Sequence, residues 1–322
     1  MWRQKDRLQT VPYCGIKMNE VSWSMLIDYV IPFVDCSDRN WLLEYRKYVS
    51  GVSDWSNNAT RFRDWETLRY QLRSIERFMP WIRNIYIVMS VSETQIPKWL
   101  NTENEQVHVV WDWEIVPHEY LPVFNSNVID LYIPRIEGLS ERYLYACDDY
   151  IVMRKLKPDD FFLENGIKLN IGRYKFCDWT YTQTIYNSDK LICPQYISKE
   201  DEYYLMPYCD HAIVPHLRSE NLKVLEKYQA EIEGSLSRFR ESKNLTWLIY
   251  PLNLMIRGML HVGGVKTRYT ALRDEDSISN LDFTGCDVIV LNDEYHDNYY
   301  YGKTLLRNRL EEVLPGKSAF EK

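Results

Sequence analysis

The chain lacks any apolar run near the roughly 18 residues that a membrane-spanning helix needs, and no apolar stretch follows the charges of Met1-Trp-Arg-Gln-Lys-Asp-Arg7. Neither a transmembrane helix nor a secretory signal is therefore expected. It also lacks a Cys-x-x-Cys pair. Its seven cysteines (Cys14, Cys36, Cys147, Cys177, Cys193, Cys209 and Cys286) are odd in number and scattered, so neither a disulfide framework nor a zinc site is indicated. A reducing cytoplasm fits this pattern. Basic charge is in deficit, with 39 Lys and Arg against 46 Asp and Glu, a net charge of −7. That balance argues against a nucleic-acid partner, and any anion must be gripped by a few local cations. Internal repeats and low-complexity segments are absent.

What remains is 322 residues, 45% hydrophobic and 26% charged, enough to bury a large α/β core. The stretch that organises them is Gly138-Leu-Ser-Glu-Arg-Tyr-Leu-Tyr-Ala-Cys-Asp148-Asp149-Tyr-Ile-Val-Met153. Tyr143 to Cys147 read as a strand buried on both faces, and the run ends in two adjacent carboxylates. Neighbouring aspartates repel, and a hard divalent cation offsets the repulsion; a helix-capping turn is the plainer reading of an isolated Asp-Asp.

Leu26 to Asp35 reads as a first buried strand, with Asp35 and Asp38 just past its end, where open α/β sheets bind nucleotides; Asp38 equally suits a helix cap. From Arg61 to Pro80, Leu68, Leu72, Ile75 and Met79 mark a helical face, and Arg69, Arg73 and Arg77 form a row on another. A solvated face is expected for Arg77. Arg61 and Arg63 fall at the start of that helix, where guanidinium groups suit a diphosphate. Trp81–Met89 and Val107–Trp111 predict further strands, so strands alternate with helices and the fold class is α/β with a mainly parallel, Rossmann-like or GT-A-like sheet. Asn125 and Ser126 open a helix and could cap it or bind sugar hydroxyls. Residues 154–205 read as an insertion or acceptor-side subdomain between a nucleotide-sugar-binding core (26–153) and a helical section with a closing strand (206–322). An amphipathic helix is predicted over roughly 217–236, with His211 ahead of it and Arg240 behind. Cys286 to Asp293 reads as another apolar strand.

Four blocks resemble the Stealth family of sugar-1-phosphate transferases, which includes bacterial capsular and exopolysaccharide phosphotransferases and the animal enzyme that tags lysosomal glycoproteins with N-acetylglucosamine-1-phosphate. They are Asp28-Tyr-Val-Ile-Pro-Phe-Val-Asp35-Cys-Ser-Asp38-Arg-Asn-Trp41; the long stretch from Arg61-Phe-Arg-Asp through Leu121-Pro-Val-Phe-Asn-Ser126 to Asp148-Asp149; His211-Ala-Ile-Val-Pro215 through Arg238-Phe-Arg240; and Leu291-Asn-Asp293 with Pro315-Gly-Lys-Ser-Ala-Phe-Glu321. Asp112 stands where the family usually has a histidine, and His118 is out of register. His216 is the alternative to His211 in the third block.

The resemblance implies one catalytic domain that transfers hexose-1-phosphate, such as N-acetylhexosamine-1-phosphate, from a nucleotide-sugar such as UDP-GlcNAc to a hydroxyl of an oligosaccharide or lipid-linked saccharide acceptor. A nucleoside monophosphate leaves. Asp148, Asp149 and Asp293 are expected to hold Mg²⁺ or Mn²⁺; Arg61, Arg63 and Arg240 to neutralise phosphoryl oxygens; His211 to take the acceptor proton or, by the alternative route, to carry the phosphoryl group covalently; and Asp35, Asp38, Asn125 and Ser126 to bind the donor. Two other readings stand beside this one: a metal-dependent GT-A-like glycosyltransferase releasing a nucleoside diphosphate, and a silent nucleotide- or sugar-binding protein. A lipid-linked acceptor would draw the protein to the inner face of the plasma membrane without an anchor of its own.

Overall fold

The computed structural model describes residues 26–52, 57–197, 203–207, 211–294 and 297–322; Cys14 and Cys209 lie outside them. The first half of the chain runs β1 (Ile27–Pro32), α1 (Arg39–Tyr48), α2 (Thr67–Phe78), β2 (Ile85–Met89), β3 (Val107–Trp111), α3 (Asp112–Ile115), α4 (Ser126–Tyr132), β4 (Arg142–Tyr145) and β5 (Tyr150–Val152). The middle carries β6 (Phe162–Leu163), β7 (Gly166–Lys168), β8 (Ile171–Lys175), α5 (Thr180–Ile192), β9 (Tyr203–Pro207) and β10 (Val214–Leu217). The remainder runs α6 (Arg218–Lys227), α7 (Gln229–Ser235), α8 (Ile249–Ile256), β11 (Leu260–His261), β12 (Thr267–Leu272), α9 (Glu275–Ser279), β13 (Val288–Asp293) and α10 (Tyr299–Val313).

The main sheet has the order β10-β4-β1-β2-β3, with β4, β1, β2 and β3 parallel and β10 antiparallel at one edge. Parallel strands covered on both faces must be apolar throughout, and every residue of Ile27–Ile31 and of β2 is buried. The exception is Asp28. Its carboxylate, fully buried on β1, receives both Arg83 Nε (2.8 Å) and Nη2 (2.6 Å) and the Ser140 amide (2.7 Å). A second sheet, β12-β13-β5, begins where β4 stops, so the chain crosses from one sheet to the other at Ala146–Asp149. One buried apolar cluster reaches from Ile27 to Phe320.

Helix α2 braces that crossing. Gln71 Nε2 donates to the Cys147 carbonyl at 2.8 Å, and Ser74 Oγ accepts from the Val152 amide at 3.1 Å. On another face, Arg73 is buried against the C-terminal segment, donating to both Glu321 oxygens (2.7 and 2.9 Å), Glu311 (2.8 Å) and the Leu314 carbonyl (2.9 Å). Arg77, as expected, is exposed, though it reaches the Val313 carbonyl.

Four boundaries differ from the sequence reading. The second strand starts at Ile85, because the chain still turns through Trp81–Arg83 after α2. The helix expected over 217–236 is two helices interrupted at Tyr228, which leaves helical geometry with φ −112° and ψ 26°. The section after 206 opens with strand rather than helix, since Val214–Leu217 pairs antiparallel with β4. Residues 154–205 hold more order than their weak periodicity suggested: β8 and β9 form a ladder of their own, and α5 contacts α8.

Candidate active site

The parallel strands carry Asp35 and Asp148-Asp149 to one end of the main sheet, and the second sheet brings Asp293 beside them. In the antiparallel pairing of β5 with β13, Tyr150 faces Val290, and the Leu291 amide donates to the Asp149 carbonyl at 3.0 Å. Two residues further along β13 lies Asp293, so positions about 140 apart in sequence become neighbours through one ladder. Arg63 binds both Asp293 oxygens (Nε at 2.9 Å, Nη2 at 2.8 Å) and lies over the Tyr299 ring at 4.7 Å. Arg61 Nη1 donates to the Asp293 carbonyl at 3.1 Å. Both arginines precede α2, where the sequence placed them.

Arg61 is the electrostatic centre. It draws down the pKa of Asp149, and it opposes charge on His211 and on Arg240. Burial is the stronger influence on each of the three. It lifts Asp149 to about 6, against the pull of its own amide and Arg61, and lifts Asp148 well above the usual carboxylate range, with Asp149 and Asp64 adding repulsion. His211 is lowered to about 4, first by burial and then by Arg61, so it is neutral at pH 7. Its Nδ1 lies 3.2 Å from the Tyr150 hydroxyl, and its ring stacks on Tyr269 at 5.1 Å between centroids. Tyr269 is tied in turn to Glu294 at 3.1 Å. With Nδ1 engaged, Nε2 is the nitrogen left for a substrate. His216, the alternative, is fully enclosed between Tyr143 and Asn221 and belongs to the core.

Arg240 is pinned by its backbone to Asn57 (2.8 and 2.9 Å) and by Nη2 to Ser126 Oγ at 2.7 Å, while its Nε is buried without a partner among the described residues. Ser126 thus positions a site arginine. Asn125 does structural work: its side-chain nitrogen donates to Ser237, Phe239 and Asn244, and its oxygen caps α4. Asp38 accepts from the Trp41 amide at 2.7 Å and caps α1, the plainer of its two readings. Asp35 lies at the mouth of β1, held through its backbone by Gln95 and through its carboxylate by Ser37. Tyr150, Tyr269 and Asn57 were not singled out from sequence; only Tyr150, adjacent to Asp149, carried a positional clue.

Among the described residues there is no cluster of three or more His, Cys, Asp or Glu shaped to hold a metal ion. Magnesium commonly takes only one or two carboxylates and completes its shell with phosphate and water. Asp149 Oδ1, buried with no hydrogen-bond partner among the described residues, has the chemistry of such a ligand, and Asp148 adjoins it. Asp293 has both oxygens engaged by Arg63 and could offer only its remaining lone pairs.

A parallel α/β sheet brings carboxylates, arginines and a neutral histidine together at its carboxyl end, where open sheets of this class bind their ligands. Residues 61–170 match the model for Stealth protein conserved region 2. The capsular polysaccharide phosphotransferase eps5J of Streptococcus thermophilus is 34% identical over 52% of this chain and 70% of its own. The capsular polysaccharide phosphotransferase fcs1 of Haemophilus influenzae is 32% identical over 72% of this chain and 66% of its own, and the receptor polysaccharide phosphotransferase WefC of Streptococcus oralis 26% identical over 92% and 99%. The chain belongs to the Stealth family. Among solved structures, galactosyltransferase LgtC with donor and acceptor sugar analogs aligns with 91% of this chain and 96% of its own at a TM-score of 0.38 and 10% identity, too distant to argue from. Among the described residues no helix is long and apolar enough to cross a membrane.

Proposed function

We propose that the chain is a sugar-phosphate transferase of capsular or exopolysaccharide synthesis, moving hexose-1-phosphate from a nucleotide-sugar to a hydroxyl of a saccharide acceptor. The observation that carries this reading is a neutral His211, fixed through Nδ1 by Tyr150, beside Arg61, which also influences Asp149 and Arg240. A neutral imidazole can accept a proton at pH 7. In the step proposed, the acceptor oxygen attacks the β-phosphorus in line and its proton passes to His211 Nε2. The bond from the β-phosphorus to the bridging oxygen breaks, and its electron pair leaves with the nucleoside monophosphate. In this reading Arg61 and Arg240 would offset charge on the phosphoryl oxygens, with Arg63 held by Asp293. Asp148 and Asp149 would hold Mg²⁺ or Mn²⁺, which when bound supplies charge neutralisation for the diphosphate.

The test is the identity of the released nucleotide. With Mg²⁺, a panel of nucleotide-sugars and a capsule-type oligosaccharide, the reading requires a nucleoside monophosphate and a product heavier by one phosphate as well as the sugar. Release of a nucleoside diphosphate with a phosphate-free product would make the chain a glycosyltransferase instead.

A further inference from the structure

A cavity of about 310 Å³ lies beyond the ends of β2 and β3, outside the constellation described above. It is bordered by Asn40 and Glu44 of α1, Val91 and Ser92 after β2, and Asp112 and Trp113 of α3. Among the described residues its lining carries no lysine or arginine. Asp112 is 1% exposed, and both of its carboxyl oxygens are buried without a hydrogen-bond partner among the described residues. The backbone amides of Trp113, Val91 and its own residue lie beside the carboxyl and favour its charged form, against the stronger effect of burial. Burial lifts this carboxyl to about 7, so near neutrality it is divided between a form that only accepts hydrogen bonds and one that also donates. An unpaired buried carboxyl is costly unless something with complementary groups arrives. Trp113 is fixed by parallel stacking on Trp111, centroids 4.8 Å apart. Val91 is held at φ 72°, a left-handed backbone that a β-branched residue rarely adopts.

The place of the cavity says what it suits. Asp148 follows β4 and Asp112 follows β3, so β1 and β2 lie between their strands and three strand spacings separate them. At roughly 4.8 Å each that is about 14 Å, the reach of an extended nucleotide rather than of one sugar ring. Both positions lie at the carboxyl end of the parallel strands, where a nucleotide lies across an open sheet. Resting on the transferase reading above, we propose that this cavity takes the base of the donor nucleotide, with Asp112 pairing to adjacent N–H and acceptor groups on the base edge and Trp113 against its face.

Calorimetric titration of the whole chain in EDTA with UMP, CMP, AMP and GMP, and with pyrophosphate as the base-free control, tests this without any catalysis. One base should be preferred. Asp112→Asn should lower affinity for the preferred nucleotide by about tenfold and change the ranking of the four, with pyrophosphate binding unchanged. Asn40→Trp, at an exposed position on the rim, should weaken all four nucleotides and spare pyrophosphate, and it decides the matter if Asp112→Asn fails to fold. Equal affinity for all four nucleotides, or nucleotide binding unaffected by the substitutions, would overturn the assignment. Diphosphate release in the product assay would refute phosphoryl transfer but leave this result standing, because either kind of donor carries a base.

Discussion

The two ends of the main sheet treat buried acid in opposite ways. At the amino end of β1, Asp28 is fully enclosed and fully partnered, with a bidentate Arg83 and the Ser140 amide on its oxygens. At the carboxyl end, among the described residues, Asp149 keeps one buried oxygen with no partner, beside Asp148, and Arg240 Nε is likewise unpaired. Buried polar groups that are satisfied hold a fold together, whereas groups left unsatisfied at a strand end need something that the chain does not itself provide. The cluster of Arg73 on α2 with Glu311 and Glu321 belongs with Asp28: the Arg73 bonds tie helix to C-terminal segment.

The largest effects should separate these two classes. Asp149→Asn and His211→Ala are each expected to lower turnover by about 10²–10⁴-fold, the usual cost of losing a positioned charge or general base, with thermal unfolding little changed. Steady-state kinetics beside a melting curve checks both. Arg83→Leu should do the reverse, destabilising by about 3–5 kcal/mol because it strands the Asp28 carboxylate in the core, with turnover per folded molecule preserved; urea unfolding measures the loss.

Smaller effects follow from protonation. Because burial and Arg61 hold His211 at about 4, the acid limb of the turnover profile from this residue should fall below pH 6, not at the 6.5 of a free imidazole. A limb at 6.5 that vanishes in His211→Ala would contradict the buried placement. Asp189 is buried on α5 and raised to about 8, with one oxygen accepting from the Leu205 amide and the other unpartnered. Its protonated form is favoured in the fold, so its contribution is complete below about 4 and is lost as pH rises from there through about 8. Asp189→Asn should therefore flatten the decline in stability between pH 5 and pH 8, read by urea titration at the two values.

Much of this was legible in the chain because burial and period leave marks. Ile85–Met89 announces a buried parallel strand by unbroken apolarity and Ile27–Ile31 by apolarity interrupted only at Asp28, and Asp148-Asp149 is conspicuous for ending such a run. Helix α2 was legible from Leu68, Leu72 and Ile75, all buried. What lay hidden depends on tertiary pairing. Asp293 meets Arg63 only through the β5–β13 ladder, and Tyr269 reaches His211 from a strand that no local pattern connects to it. Asn125 and Ser126 are adjacent polar residues, yet one binds loop carbonyls and the other a site arginine; the difference lies in which way each faces. Asp112 drew notice only as a departure from the family's histidine, and its enclosure in a cavity wall was not readable from its neighbours.

Partnered and unpartnered carboxylates should differ in whether they hold a cation, and cation binding tests that contrast most directly. Titration of Mn²⁺ in the presence of a bound nucleotide-sugar, followed by electron paramagnetic resonance, should show one site in the native chain. That site should be lost in Asp149→Asn and retained in Glu321→Gln, which alters the satisfied cluster on α2. Mn²⁺ binding that survives Asp149→Asn, or that disappears equally in Glu321→Gln, would contradict it.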